Sequence, residues 1–251
     1  HLKLSSDKEC GLICVRLCDL SPDGSSTLIS YGILNLRLRN GRECIADVKA
    51  NDLINVTVRL NDTGWRLKKG HRLRLALSTQ MWPMAWPISE VAEITVYMNS
   101  STLEIPVRTP TNEEKDFTQL ELAEAADAPP HTILRDPSGS RIITSDIKTG
   151  DIRYEIKSDG GEMKFEKSGL IYGSANEQLY IIKDDDPCSA QAEYRASFSF
   201  SRIGWKTSTE SELIVTCDEE HFFLHGRISA YEDDTQVFIK NWDTKIPRVV
   251  Y

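Results

Sequence analysis

An all-β fold is expected from three features of the sequence: short segments in which apolar and polar residues alternate, turn-forming clusters between them, and a near absence of helical periodicity. In residues 27–39, Leu34, Leu36 and Leu38 fall on one side of an extended chain and Asn35, Arg37 and Arg39 on the other. A two-residue period gives a strand one buried and one wet face. Residues 54–60 repeat it, with Ile54, Val56, Val58 and Leu60 opposed by Asn55, Thr57 and Arg59, and so do residues 73–77, with Leu73, Leu75 and Leu77 opposed by Arg74 and Ala76. Ser21-Pro22-Asp23-Gly24-Ser25 lies between a strand expected over 12–20 and the one over 27–39. Pro presets φ and Gly accepts positive φ, so this cluster reads as a hairpin loop.

The second half is also strand-rich. Short strands are expected over 132–134, 141–147, 151–157, 162–166 and 178–183, separated by Pro-Ser-Gly-Ser, Thr-Gly and Asp-Gly-Gly turn signals. Four longer ones follow over 191–201, 205–217, 221–231 and 236–246, linked through Gly204, Asp218-Glu219-Glu220 and Asp233-Asp234. Links this short favour antiparallel neighbours, and a meander is the simplest topology. One helix is expected, over the acidic, Ala-rich residues 112–126, with Thr111 as N-cap and Pro129-Pro130 as its stop.

Length and composition bound the rest. The chain has 251 residues, 40% of them apolar, enough for one large core or two ordinary ones. No run approaches the roughly 18 apolar residues of a membrane-spanning helix, so no membrane partner is expected. The chain opens on His1 with no basic and apolar leader, and a start upstream of this residue is expected. Charge divides the chain: residues 1–108 carry 14 Lys and Arg against 11 Asp and Glu, and residues 109–251 carry 16 against 27, in a total of −8. Nucleic acid is not an expected partner for so acidic a half. The alternation breaks at Pro106, Pro110 and the polar run Thr109 to Asp116, which suits a linker. The expected division is 1–108 as a β-sandwich, 109–116 as a linker and 117–251 as a further antiparallel β-domain.

The stretch at 16–39, R-L-C-D-L-S-P-D-G-S-S-T-L-I-S-Y-G-I-L-N-L-R-L-R, and the stretch at 70–87, G-H-R-L-R-L-A-L-S-T-Q-M-W-P-M-A-W-P, resemble the C-terminal β-domain of the X-Pro dipeptidyl-peptidase and cocaine-esterase group of serine hydrolases. The resemblance implies a jelly-roll, galactose-binding-like sandwich over 1–108, entered one strand late, with Thr102-Leu103-Glu104-Ile105-Pro106-Val107 as its closing strand. The part after 117, with Asp184-Asp185-Asp186-Pro187 and the 242–247 ending, is similar to an additional C-terminal β-region of longer cocaine-esterase-like hydrolases. In that group the chemistry belongs to an α/β-hydrolase domain that precedes the jelly roll, and the resemblance implies that domain as the partner. The sequence holds no Gly-x-Ser-x-Gly nucleophile elbow, so the chain alone is expected to be inactive. Ser201 and Ser211 lack the elbow context and are not offered as nucleophiles.

Several residue groups suggest sharper chemistry. Cys10, Cys14 and Cys18 recur every four residues; along one strand such neighbours lie roughly 13 Å apart, too far to share a metal, so buried, reduced thiols are expected. Six cysteines without regular spacing do not make a disulfide scaffold, and a cytoplasmic setting is expected. His221 and His225 have the spacing of a zinc helix, but no Glu follows His221 and the segment reads as strand. His71, beside Gly70 at a strand start, has no acid partner in the nearby sequence and reads as a hydrogen-bonded turn histidine. Asp184-Asp185-Asp186 lacks the spaced ligands of a calcium loop and reads as a solvated turn closed by Pro187. No metal or cofactor is expected.

The loop Met81-Trp82-Pro83-Met84-Ala85-Trp86-Pro87 sets two indoles and two prolines in seven residues. So stiff an apolar surface belongs in the core or against a partner. Packing within the sandwich, docking on a catalytic domain and stacking on sugar rings all remain open on the residues alone. The resemblance favours docking and makes Trp82, Pro83, Trp86 and Pro87 the candidate docking or cleft-lining residues. The alternative to a hydrolase accessory region is a carbohydrate- or partner-binding sandwich module. Without its covering domain, the chain is expected to expose an apolar patch and to self-associate.

Overall fold

The computed structural model describes residues 1–109 and 123–248. In order, the strands are β1 (Leu2–Ser6), β2 (Leu12–Leu20), β3 (Ser26–Asn35), β4 (Ile54–Val56), β5 (Arg72–Ser78) and β6 (Ile94–Val96). They are followed by β7 (His131–Arg135), β8 (Ser138–Asp146), β9 (Asp151–Phe165), β10 (Ile171–Lys183), β11 (Asp186–Arg202), β12 (Trp205–Cys217), β13 (His221–Glu232) and β14 (Thr235–Pro247). Every pairing among them is antiparallel. The expected all-β class holds. The helix expected over 112–126 falls mainly outside the described residues, and residues 123–126 have no regular secondary structure.

The first six strands make two three-stranded sheets, ordered β4-β1-β6 and β3-β2-β5. Leu2 and Leu4 from one sheet meet Ile13 and Val15 from the other, joined by Leu36, Val48 and Val56, so the two sheets enclose one core as a sandwich. The hairpin forms at the expected turn. Gly24 takes φ +88, Gly24 N donates to Ser21 O, and the Asp23 carboxylate accepts from the backbone N–H and hydroxyl of Ser25. Those bonds favour the charged form and hold the Asp23 carboxyl down at about 2.

Alternation holds in part beyond the strands it predicts, but Asn35, expected on the wet side, is buried and Leu73, expected on the apolar side, is 43% exposed. The strand expected over 27–39 stops at Asn35, whose side chain accepts from Arg37 N and starts a 3-10 turn at Leu36–Leu38. Leu36 is still completely buried. Likewise the strand expected over 54–60 is a ladder only for Ile54–Val56, yet Val58 and Leu60 still pack on the core. The chain there passes Gly32 so closely that an added Cβ would lie 2.3 Å from Arg59 O. The closing strand expected over 102–107 does not form. Thr102 and His1 exchange two backbone bonds, and the described chain beyond is irregular, with Pro106 unable to donate.

The remaining strands form one sheet in the order β14-β13-β12-β11-β10-β9-β7, with β8 also on β9, so the expected meander is present from β9 to β14. Two turn signals are absorbed into strands. β8 starts at Ser138, inside the expected Pro-Ser-Gly-Ser turn, and β9 runs unbroken through Asp159-Gly160-Gly161. Gly161 has φ +71, and a Cβ on it would meet Arg135 O at 2.2 Å. The glycines let β9 change neighbours, from β8 at Asp159 to β7 at Glu162, instead of reversing the chain.

Candidate docking interface at Trp82 and Trp86

Strand β2 is buried on both sides, and this explains what the tryptophan loop does locally. Ile13 and Val15 face the inter-sheet core; Leu12 and Cys14 face the other way and are covered by Ile88 and Ala92, with Met81, Ala85, Cys10 and Ile33 around them. Ala85 N donates to Met81 O, closing a turn that contains a cis Trp82–Pro83 bond. The loop therefore caps the outer face of the β3-β2-β5 sheet. Burial, only partly offset by Arg16, pushes the Cys14 thiol up to about 11, so it is an inert core group.

The opposite side of the loop meets the large sheet. Trp82 stands edge-on to Trp86 at 5.0 Å and to Tyr180 at 5.9 Å, while Trp86 stands edge-on to Phe222 at 5.4 Å. Tyr180 in turn stacks on Tyr154 at 6.1 Å. Trp86 Nε1 donates to Cys217 Sγ at 3.2 Å, and the Cys188 thiol to Ser89 O at 3.6 Å. Burial and the neighbouring Cys217 raise the Cys188 thiol above its ordinary value, against the pull of Arg248.

Arg248 locks this joint. It is 6% exposed; Nη2 donates to Pro87 O and Nη1 to Asp218 O, both at 2.7 Å, and the guanidinium lies 4.9 Å from the Phe222 ring centre. Among the described residues no carboxylate pairs with it, and its Nε is a buried donor without an acceptor. Of the four candidates, Pro87 is buried, whereas Trp82, Pro83 and Trp86 are partly buried. Their neighbour Met84 is 60% exposed, so the loop keeps one apolar side open.

Opposed residues on an antiparallel ladder share a face, so the register sorts the large sheet into two surfaces. One carries Tyr154, Tyr180, Tyr194, Phe198, Leu213 and Trp242, and the tryptophan loop rests on one corner of it. The other is charged. Lys157, Glu177, Arg195, Glu212 and Arg227 stand opposite one another in succession across five strands, alternating in sign. Arg195 Nε donates to Glu212 at 2.7 Å, and Lys157 lies 4.0 Å from Glu177. A cavity of about 350 Å³ opens here, lined among others by Glu177, Arg195, Glu210, Glu212 and Arg227.

The histidines take structural places. His71 has an acid partner after all, supplied from 52 residues away: its Nδ1 is 2.7 Å from Asp19 Oδ1, and Trp65 Nε1 donates to Asp19 Oδ2 at 3.0 Å. Burial would raise the Asp19 carboxyl, but the bonds from His71 and Trp65 outweigh it and hold it below the usual carboxylate range. The sequence does hold a hint of this, the one acidic residue near the end of β2, whose other residues are apolar except for Arg16. His225 pairs with Asp243, and His221 lies near Asp218 and Glu220. Asp185 adopts φ +60, and Asp186 accepts from the N–H groups of Cys188 and Ser189, so the triple-Asp segment is a self-bonded turn. No group of three or more His, Cys, Asp or Glu side chains converges among the described residues.

The sandwich thus buries Cys14 on the outer side of β2 and sets the tryptophan loop over that side. The family model of the X-Pro dipeptidyl-peptidase C-terminal non-catalytic domain matches residues 1–137. The chain belongs to this family. The match covers the sandwich, the tryptophan loop and the first strand of the large sheet, β7. No curated protein and no solved structure matches the chain. The inner side of the loop and one corner of the large sheet are joined through Trp82, Trp86 and Arg248. Among the described residues, no helix is long and apolar enough to cross a membrane.

Proposed function

We propose that this chain is the non-catalytic C-terminal region of a serine hydrolase cleaving ester or X-Pro peptide bonds, and that it packs on the α/β-hydrolase domain of the same parent and shapes its substrate cleft. Family membership over residues 1–137 is the observation that carries the reading. The open side of the tryptophan loop, with Trp82 and Pro83 partly exposed and Met84 largely so, is the proposed contact. The division into a sandwich over 1–108 and a β-domain after 116 is part of the proposal, supported by the separate sheets. So is a cytoplasmic setting, which the six free cysteines suit. Sugar stacking needs a flat, open indole face; Trp82 and Trp86 are instead engaged edge to face with each other, Tyr180 and Phe222.

The chain alone is expected to turn over neither activated esters nor X-Pro anilides, because its sequence holds no Gly-x-Ser-x-Gly elbow to position a nucleophile beside an oxyanion hole. Labelling at one serine by a phosphonate, with turnover abolished by a single Ser→Ala change, would overturn this. In the parent enzyme, Met84→Lys is expected to raise KM or loosen the catalytic domain without unfolding the sandwich.

A further inference from the structure

β14 is the outer strand of the large sheet, paired with β13 on one side and with no other strand among the described residues. All 13 of its residues are exposed. An edge of this length is a template for another strand, and proteins usually shorten it, cover it or interrupt it with proline. Here proline occurs only at the last position, Pro247, and the one bulge lies near the other end, opposite Ala230 and Tyr231.

Residues Asn241 to Pro247, N-W-D-T-K-I-P, form a chemical palindrome about Thr244. Laid antiparallel on a second copy, with a two-fold axis at Thr244, the segment sets Asp243 opposite Lys245 twice and Trp242 opposite Ile246 twice. Thr244 then meets its own counterpart, a favoured cross-strand pair. The faces agree with those of the existing sheet. Asp243 and Lys245 stand opposite His225 and Phe223 on the charged side, while Trp242 and Ile246 stand opposite Gly226 and Phe222 on the aromatic side. Moving the axis to Asp243, Lys245 or Lys240 would set like charges against each other within the strand, and moving it to Trp242 would leave Asp243 without a cationic partner. About Thr244 the one like pair, Lys240 with Arg248, falls past the strand end, where the Arg248 guanidinium is turned onto Pro87 O and the Phe222 ring.

We propose that the chain forms a two-fold dimer by pairing β14 with β14 of a second copy about Thr244, joining two eight-stranded sheets into one. A two-fold edge contact is self-complementary and closes, so assembly stops at two copies.

Sedimentation of the 251-residue chain over a wide concentration range tests this. A reversible monomer–dimer equilibrium is expected. Lys245→Asp, which sets carboxylates opposite each other twice, should weaken the dimer at least tenfold with an unchanged circular dichroism spectrum. The exchanged pair Asp243→Lys/Lys245→Asp should restore it. A chain that stays monomeric throughout, or a dimer indifferent to both variants, would overturn the proposal; the second result would move the contact to the tryptophan loop or to the β8 edge.

Discussion

Asp19 places a carboxylate in the sandwich at a cost that its neighbours offset. It is 6% exposed, and both oxygens accept bonds, one from His71 and one from Trp65, so the 65–71 segment is tied to β2. The folded carboxyl titrates below its ordinary value of about 3.9, so its contribution to stability is complete above that pH and is lost as pH falls through the folded pKa. Asp19→Asn is therefore expected to lower the urea midpoint at neutral pH, with the gap from the unaltered chain narrowing below about pH 4. A gap of the same size in strong acid would assign the loss to packing rather than charge. The partnership of Asp19 and His71 was illegible in the sequence because it crosses 52 positions, and it depends on β2 and β5 lying side by side.

Among the elements, β13 and β14 show how a strand accommodates a large neighbour. Trp242 stands opposite Gly226, and a Cβ on that glycine would lie 2.2 to 2.5 Å from three indole atoms, so the ring fills the space that a side chain would take. Gly226→Val is expected to destabilise by about 1–3 kcal/mol, as overpacking does. Faster amide exchange should appear first along β14. Trp242→Ala in the same chain should relieve part of that loss, and a double-mutant cycle should give a coupling of at least about 0.5 kcal/mol. Strictly additive effects would mean that the indole does not hold this place. The long strands β12, β13 and β14 were readable to within a residue or two because each is bounded by a short Gly- or Asp-containing link. β9 joins the two strands expected over 151–157 and 162–166, and β10 begins seven residues before the strand expected over 178–183. Glycine marks both turns and bulges, and the flanking residues do not distinguish them.

At the scale of the whole molecule, the sandwich and the large sheet are held together through Trp86, Arg248 and the ring of Phe222. Trp86→Ala removes the indole from between them and leaves Cys217 without its donor. A loss of about 3 kcal/mol is expected, at the low end for a large aromatic because the ring is only partly buried. Calorimetry should then resolve two transitions where the unaltered chain shows one. A single transition shifted as a whole would instead place Trp86 within one cooperative core.

The sequence alone determined the class of fold, the β2–β3 hairpin, the antiparallel meander and, through the residues at 16–39 and 70–87, the family. Each of these depends on local chemistry: two-residue periodicity, turn residues with a set φ, and a contiguous motif. Tertiary structure alone decided that Leu12 and Cys14 are buried on the side of β2 away from the sandwich core, and that Trp82 and Trp86 rest on Tyr180 and Phe222. It also decided that five charges alternate in one row across the large sheet and that a buried arginine fastens the joint. The physical reason is register. A shift of one residue between strands turns every side chain to the opposite face, and nothing within a single strand specifies which residue of the next will stand beside it.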